Sequence, residues 1–217
     1  MEIVDRKSPN FADRPRAAQI ELIVLHYTAM ADCNAAAERL CDETAEVSAH
    51  YLIGKDGTLI RLVDEEKRAW HAGLGSWAGR GDVNSRSIGI ELDNDGATSF
   101  EPELMSTLQV LLRDLLDRHQ LHPKSVIGHS DMAPDRKSDP GPLFPWRALA
   151  AQRLSIWPDP SQQGDFMTNA RAFGYPVELG ETSVLSAFRQ RFRPGASGPL
   201  NVADEAMMSG LARQFPA

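Results

Sequence analysis

The chain has 217 residues, of which 42% are hydrophobic and 24% charged, and its formal net charge is −7. That length and composition suit one globular domain with a remainder, and they exclude wholesale disorder, collagen and a long coiled coil. Thirty acidic residues against 23 basic ones also make the chain a poor candidate for binding a nucleic-acid backbone, which needs clustered Lys and Arg.

In chain order, the opening Met1-Glu2-Ile3-Val4-Asp5-Arg6-Lys7 is not followed by an apolar stretch, and no run of 18 apolar residues follows anywhere. No secretory signal and no membrane span are therefore predicted. A cytoplasmic location is expected; the alternative is a periplasmic or outer-membrane-attached protein whose leader has been removed. Residues 20–27 (IELIVLHY) form a short apolar run, the pattern of a strand buried on both faces. Residues 31–43, rich in Ala, Glu, Leu and Arg, read as a helix. It would hold Cys33 and Cys41 about 12 Å apart by helical rise, too far for a disulfide, so both are expected to be free thiols. Residues 50–53 and 58–63 flank Gly54-Lys55-Asp56-Gly57 and predict a hairpin. Residues 64–86 carry Trp70, His71, Trp77 and four glycines without periodicity, and predict a long functional loop.

Residues 87–92 (SIGIEL) return to a strand pattern. Leu104, Leu108, Leu111, Leu112, Leu115 and Leu116 then recur at helical spacing, predicting the main amphipathic helix over 101–121. His119 and His122 flank its end, where cations suit the helix dipole. A short strand is expected at 125–128, a proline-stiffened loop at 129–146 and a short helix at 145–154. Residues 157–164 (WPDPSQQG) read as a linker. Beyond them only helical patterns remain, near 165–174, 182–193 and 201–214. Three helices in about 55 residues are a small unit, expected to lean on the rest of the chain. The fold class expected is α/β, a mixed central β-sheet flanked by helices, followed by a small C-terminal three-helix module.

Functional groups collect where these strands end. His26 closes the first apolar strand, Glu91 lies near the end of 87–92, His129 directly follows 125–128, and Asp139 lies ten residues further on in the stiffened loop. Two histidines and a carboxylate make a three-ligand set that leaves a fourth position for water, the arrangement of catalytic zinc. Six histidines can form many triples, however, and a histidine at a strand end is often only a packed residue. His50 and His71 compete as ligands on the same grounds. Glu91 and Lys137, taken alone, read more readily as a solvated strand carboxylate and a surface charge.

Six ordered motifs narrow the choice: Ile23-Val24-Leu25-His26-Tyr27-Thr28, Val47-Ser48-Ala49-His50-Tyr51-Leu52-Ile53, Arg68-Ala69-Trp70-His71-Ala72-Gly73, Asn84-Ser85-Arg86-Ser87-Ile88-Gly89-Ile90-Glu91, Gly128-His129-Ser130-Asp131 and Ala133-Pro134-Asp135-Arg136-Lys137-Ser138-Asp139-Pro140-Gly141-Pro142. Over about residues 8–154 the chain resembles the zinc-dependent N-acetylmuramoyl-L-alanine amidases of the AmpD and AmiD type, which share the fold of peptidoglycan recognition proteins. The tail resembles, more loosely, the helical peptidoglycan-binding-type module that follows the catalytic domain in AmiD-like amidases.

The resemblance implies a zinc amidase domain over 1–156, a linker over 157–164 and a peptidoglycan-binding-like module over 165–217. It implies zinc ligation by His26, His129 and Asp139, with Glu91 and Lys137 catalytic. It further implies a muropeptide substrate, cleaved between N-acetylmuramic acid, including its 1,6-anhydro form, and L-alanine. Trp70, His71, Arg80, Asn84 and Arg86 are expected along the substrate groove. The alternative is a non-catalytic module that binds muropeptide without cutting it, and the tail could instead dock a protein partner. No nucleic-acid partner is expected, and a monomer is favoured.

Overall fold

The computed structural model describes residues 2–217. Eight strands and seven α-helices follow the chain in the order β1 (Ile3–Asp5), β2 (Phe11–Asp13), β3 (Leu22–Tyr27), α1 (Cys33–Cys41), β4 (Tyr51–Ile53), β5 (Leu59–Arg61), β6 (Lys67–Ala69), β7 (Ser87–Leu92), α2 (Pro102–Arg118), β8 (Val126–Gly128), α3 (His129–Met132), α4 (Trp146–Ala151), α5 (Phe166–Phe173), α6 (Glu181–Phe192) and α7 (Val202–Gln214). A six-stranded sheet runs β1-β5-β4-β7-β3-β8, and β2 pairs with β6 in a separate antiparallel ribbon. Within the large sheet only the β4–β5 hairpin is antiparallel, so the sheet is mixed, as expected.

Side-chain alternation splits β3 between two cores. Ile23 and Leu25 join Ile88, Ile90 and Val126 against the apolar stripe of α2, where Leu104, Leu108, Leu111, Leu112, Leu115 and Leu116 are buried. Burying each such leucine contributes about 1.5–3 kcal/mol before entropy is subtracted. Leu22 and Val24 point the other way and join Ile127 in a cluster with Phe166, Phe173, Val184, Phe188, Phe192 and Leu211 of the last three helices. The tail is thus a covering layer of the sheet. At the other end of that face, Leu52 and Ile60 pack on Ala36, Ala37 and Leu40 of α1.

The helix starts follow local chemistry. Asp32, Asp165 and Asn201 cap α1, α5 and α7 by accepting from backbone N–H groups of the first turn, and α2 opens with Pro102. The predicted helices and the strands at 20–27, 87–92 and 125–128 are present, within a few residues at each end. Strands β1, β2 and β6 were not predicted. The loop expected over 64–86 contains β6 and a 3-10 turn at Val83–Arg86. Arg14 fastens this region by donating to the carbonyls of Glu65, Asn84 and Ser87. Cys33 and Cys41 are free thiols at the two ends of α1. Among the described residues no helix is long and apolar enough to cross a membrane.

Candidate active site

Strand register assembles the site. In the parallel β3–β7 pair, His26 lies opposite Glu91, so both side chains leave the same face near the carboxyl ends of their strands. On the other side of β3, Leu25 pairs with Gly128, so His129 follows at the level of His26. Asp139 returns to the same point, where its backbone carbonyl accepts from Ser130 N. A cavity of about 480 Å³ opens there, bounded by α1, the 70–71 segment and the 136–139 loop.

His26 Nδ1, His129 Nδ1 and Asp139 Oδ2 converge with separations of 2.9, 2.9 and 3.0 Å. The surrounding hydrogen bonds fix which of these nitrogens carry protons. His129 Nε2 lies 3.0 Å from the carbonyl of Ala72, which can only accept, so Nε2 bears the proton and Nδ1 a lone pair. The Ser87 hydroxyl donates to Val83 O at 2.6 Å and accepts from His71 Nε2 at 3.1 Å. His71 Nδ1 is therefore a lone pair that accepts from His26 Nε2 at 3.0 Å, which leaves His26 Nδ1 unprotonated as well. Two nitrogen lone pairs and a carboxylate oxygen face one another with no hydrogen between them. That is unfavourable unless a cation occupies the centre, so the three residues fit a metal ion.

The electrostatics agree. Burial, and then the neighbouring His129, hold His26 neutral, with its pKa pushed down to about 4. Glu91 is shifted the opposite way. Burial, followed by the charge of Asp139, raises it well above the usual carboxyl value, and Lys137 only partly offsets this. Glu91 is open towards the cavity, yet its Oε2 is enclosed and has no hydrogen-bond partner among the described residues. Lys137 is exposed on the cavity wall, two residues before Asp139.

The two competing histidines take separate positions. His50 is fully buried, with Nδ1 accepting from Gly89 N and Nε2 set between Lys67 O at 3.1 Å and Arg14 Nη2 at 3.0 Å, so both of its nitrogens are engaged away from the cavity. His71 stands behind His26 and aligns it. Gly89 makes room for this, since a Cβ there would overlap the His71 ring. Of the residues expected along the groove, Trp70 and His71 line the cavity, whereas Arg80, Asn84 and Arg86 stand outside it. Asn84 Oδ1 accepts from the backbone N–H groups of His71 and Ala72. Arg80 and Arg86 both donate to Glu21, and Arg86 also to Trp77 O. These three residues shape the segment that carries His71. The sequence did not single out Asp131 as a residue with a role. It is fully enclosed, and its carboxylate accepts from Gly128 N at 2.8 Å, steadying the turn that bears His129.

Residues 16–142 match the family described as N-acetylmuramoyl-L-alanine amidase. The chain is 34% identical to the N-acetylmuramoyl-L-alanine amidase AmiD of Escherichia coli over 91% of its own length and 84% of that protein. It is 44% identical to the 1,6-anhydro-N-acetylmuramyl-L-alanine amidase AmpD of Escherichia coli over 46% of its length and 55% of that protein. Among solved structures, Escherichia coli AmiD in complex with the substrate anhydro-N-acetylmuramic acid-L-Ala-D-gamma-Glu-L-Lys superposes with a TM-score of 0.83, at 31% identity, over 95% of this chain and 98% of that one. AmpDh3 of Pseudomonas aeruginosa in complex with an anhydromuramic pentapeptide gives a TM-score of 0.83 at 32% identity, over 98% of this chain and 96% of that one.

Proposed function

The chain belongs to the N-acetylmuramoyl-L-alanine amidase family, and from that premise we propose how its residues perform the hydrolysis. The enzyme cleaves the amide between the lactyl group of N-acetylmuramic acid and L-alanine of the peptidoglycan stem, in peptidoglycan recycling. The observation that carries the mechanism is the convergence of His26 Nδ1, His129 Nδ1 and Asp139 Oδ2 beside an unpartnered Glu91 carboxyl in one cavity.

Zinc is the ion proposed, because two imidazoles and one carboxylate are a donor set that suits it. When bound, it would make water acidic near neutral pH and polarise the scissile carbonyl. Glu91 accepts the proton of the attacking water and delivers it to the alanine nitrogen as the C–N bond breaks. The products are the lactyl carboxylate and a stem peptide with a free amino terminus. Lys137 sets positive charge beside the carbonyl oxygen as that oxygen gains charge, a kind of contact worth about 3 kcal/mol when removed. Trp70, half-buried on the cavity wall, offers an apolar surface to the sugar or the first residue of the stem, and exposed Arg39 and Lys137 offer cations to its carboxylates. The complete ligand set with Glu91 alongside favours turnover over the alternative of a module that only binds. Residues 165–217 are taken as a peptidoglycan-binding-like helical module, a reading supported by the extent of the AmiD match.

The test is mass spectrometry of two muropeptides, one carrying the 1,6-anhydro sugar and one a reducing end, with and without chelator and added zinc. Chelator-sensitive release of the stem peptide is expected, and the ratio between substrates reports which form is preferred. Asp139→Ala should lose both the bound metal and the release of peptide; full activity in that variant would overturn the ligand assignment.

A further inference from the structure

The tail reaches the metal loop through two buried polar side chains. Tyr175, just after α5, donates from its hydroxyl to Asp131 Oδ1 at 2.7 Å. Arg191, near the end of α6, donates from Nη1 to Asp131 Oδ2 at 2.6 Å and from Nη2 to the carbonyl of Val126 at 2.9 Å. Val126 is three residues before His129 and Asp131 is two residues after it, so a single guanidinium grips the chain on both sides of the ligand. The guanidinium is itself held in place: its central carbon lies 4.2 Å from the centre of the Trp146 ring and 4.8 Å from that of Phe192. Asp131 is fully enclosed, Arg191 is 2% exposed and Tyr175 is 3% exposed.

Adhesion alone does not require these groups. The tail already buries Phe166, Phe173, Phe188, Phe192 and Leu211 against the sheet. A buried ion pair loses the hydration of both charges, and apolar residues of similar size often serve stability as well or better. What the pair adds is direction: Nη1 and Nη2 reach Asp131 and Val126 together in one geometry only, and that geometry fixes the turn from β8 into α3. A metal ligand needs such outer support, because small rotations of an imidazole misdirect its lone pair.

We propose that Tyr175 and Arg191 are positioning residues for His129, acting through Asp131, so that the helical tail is a working part of the metal centre. This rests on the metal reading of His26, His129 and Asp139. The full-length protein is titrated with cobalt(II), whose visible absorption reports ligand geometry, and its zinc dissociation constant is measured by competition with a chromophoric chelator. Tyr175→Phe keeps the ring packed near Trp77 and Phe173 and removes only the donor. Arg191→Lys keeps a cation but cannot hold Asp131 and Val126 together. Each is expected to weaken zinc binding about tenfold and to change the cobalt spectrum. Phe188→Leu, which loosens the same apolar cluster without touching Asp131, is expected to lower the melting temperature and leave both metal readouts unchanged. Wild-type affinity and spectrum in folded Tyr175→Phe would overturn the proposal, and Tyr175→Phe alone suffices if the lysine variant does not fold. A wild-type chain that takes up no cobalt would overturn the metal reading and this proposal with it, an outcome visible before any variant is made.

Discussion

At the scale of single residues, the site depends on which atoms lack hydrogens. The relay from His26 through His71 and Ser87 to Val83 O leaves one proton arrangement, and it aims the His26 lone pair at His129 and Asp139. Glu91 stands beside them with an oxygen that has no partner among the described residues, so its carboxyl is free to act on what enters the cavity. Glu91→Gln preserves shape and removes the proton acceptor. It is expected to retain one equivalent of metal while turnover falls by about 10²–10⁴-fold, read as kcat on a soluble muropeptide beside a metal assay. Loss of metal in that variant would mean that Glu91 acts on the ion's ligands instead. His26, His129, Asp139 and Glu91 were candidates in the sequence because they lie at strand ends or in the loop beyond, and it was the resemblance carried by the six ordered motifs that picked them out of many possible sets. The roles of His71 and Asp131 could not be read there. His71 reads in the sequence as a competing ligand or a groove residue, and only its hydrogen bond to His26 shows that it stands behind the site; the partner that reveals Asp131 lies 60 residues away in α6.

At the scale of elements, Glu65 ties the segment after β5 to the end of α2. It accepts from Tyr51, Arg118 and His119. Burial alone would raise its pKa, but the hydrogen bonds from Arg118, Tyr51 and His119 outweigh burial and hold it at about 2, against 4.5 for a free glutamate. The folded value lies below the unfolded one. Its stabilisation is therefore complete above about 4.5 and is lost as pH falls towards 2. Glu65→Gln should cost about 1–3 kcal/mol at neutral pH, and its deficit in urea-unfolding midpoint should shrink across that acid window. A pH-independent deficit would assign the loss to packing. The long elements were legible because their patterns are long: α2 repeats its leucines over 17 residues. β1, β2 and β6 are as short as β4, β5 and β8 but lack their runs of buried apolar residues, since β1 and β2 are largely exposed and charged Lys67 and Arg68 make β6 resemble a loop. Only the partner strand defines such elements.

At the scale of the whole molecule, the linker pattern at 157–164 divides the chain more sharply on paper than in space. Leu22, Val24 and Ile127 of the sheet and Phe166, Phe188 and Phe192 of the tail share one apolar cluster, so neither side keeps a complete core without the other. The intact protein is expected to melt in one calorimetric transition whose van't Hoff and calorimetric enthalpies agree. Two resolved transitions would show that the tail folds by itself.

The position of β3 between β7 and β8 also has a consequence in time. His26 and His129 are 103 residues apart in sequence and meet only when the β3–β8 ladder closes. As the chain leaves the ribosome, His26 emerges early, Asp139 follows 113 residues later, and Tyr175 and Arg191 come later still. Closing so long a loop is slow, and a half-made chain presents no complete ligand set. The three converging groups are therefore a property of the closed sheet, and a chain that stops before Asp139 does not have them.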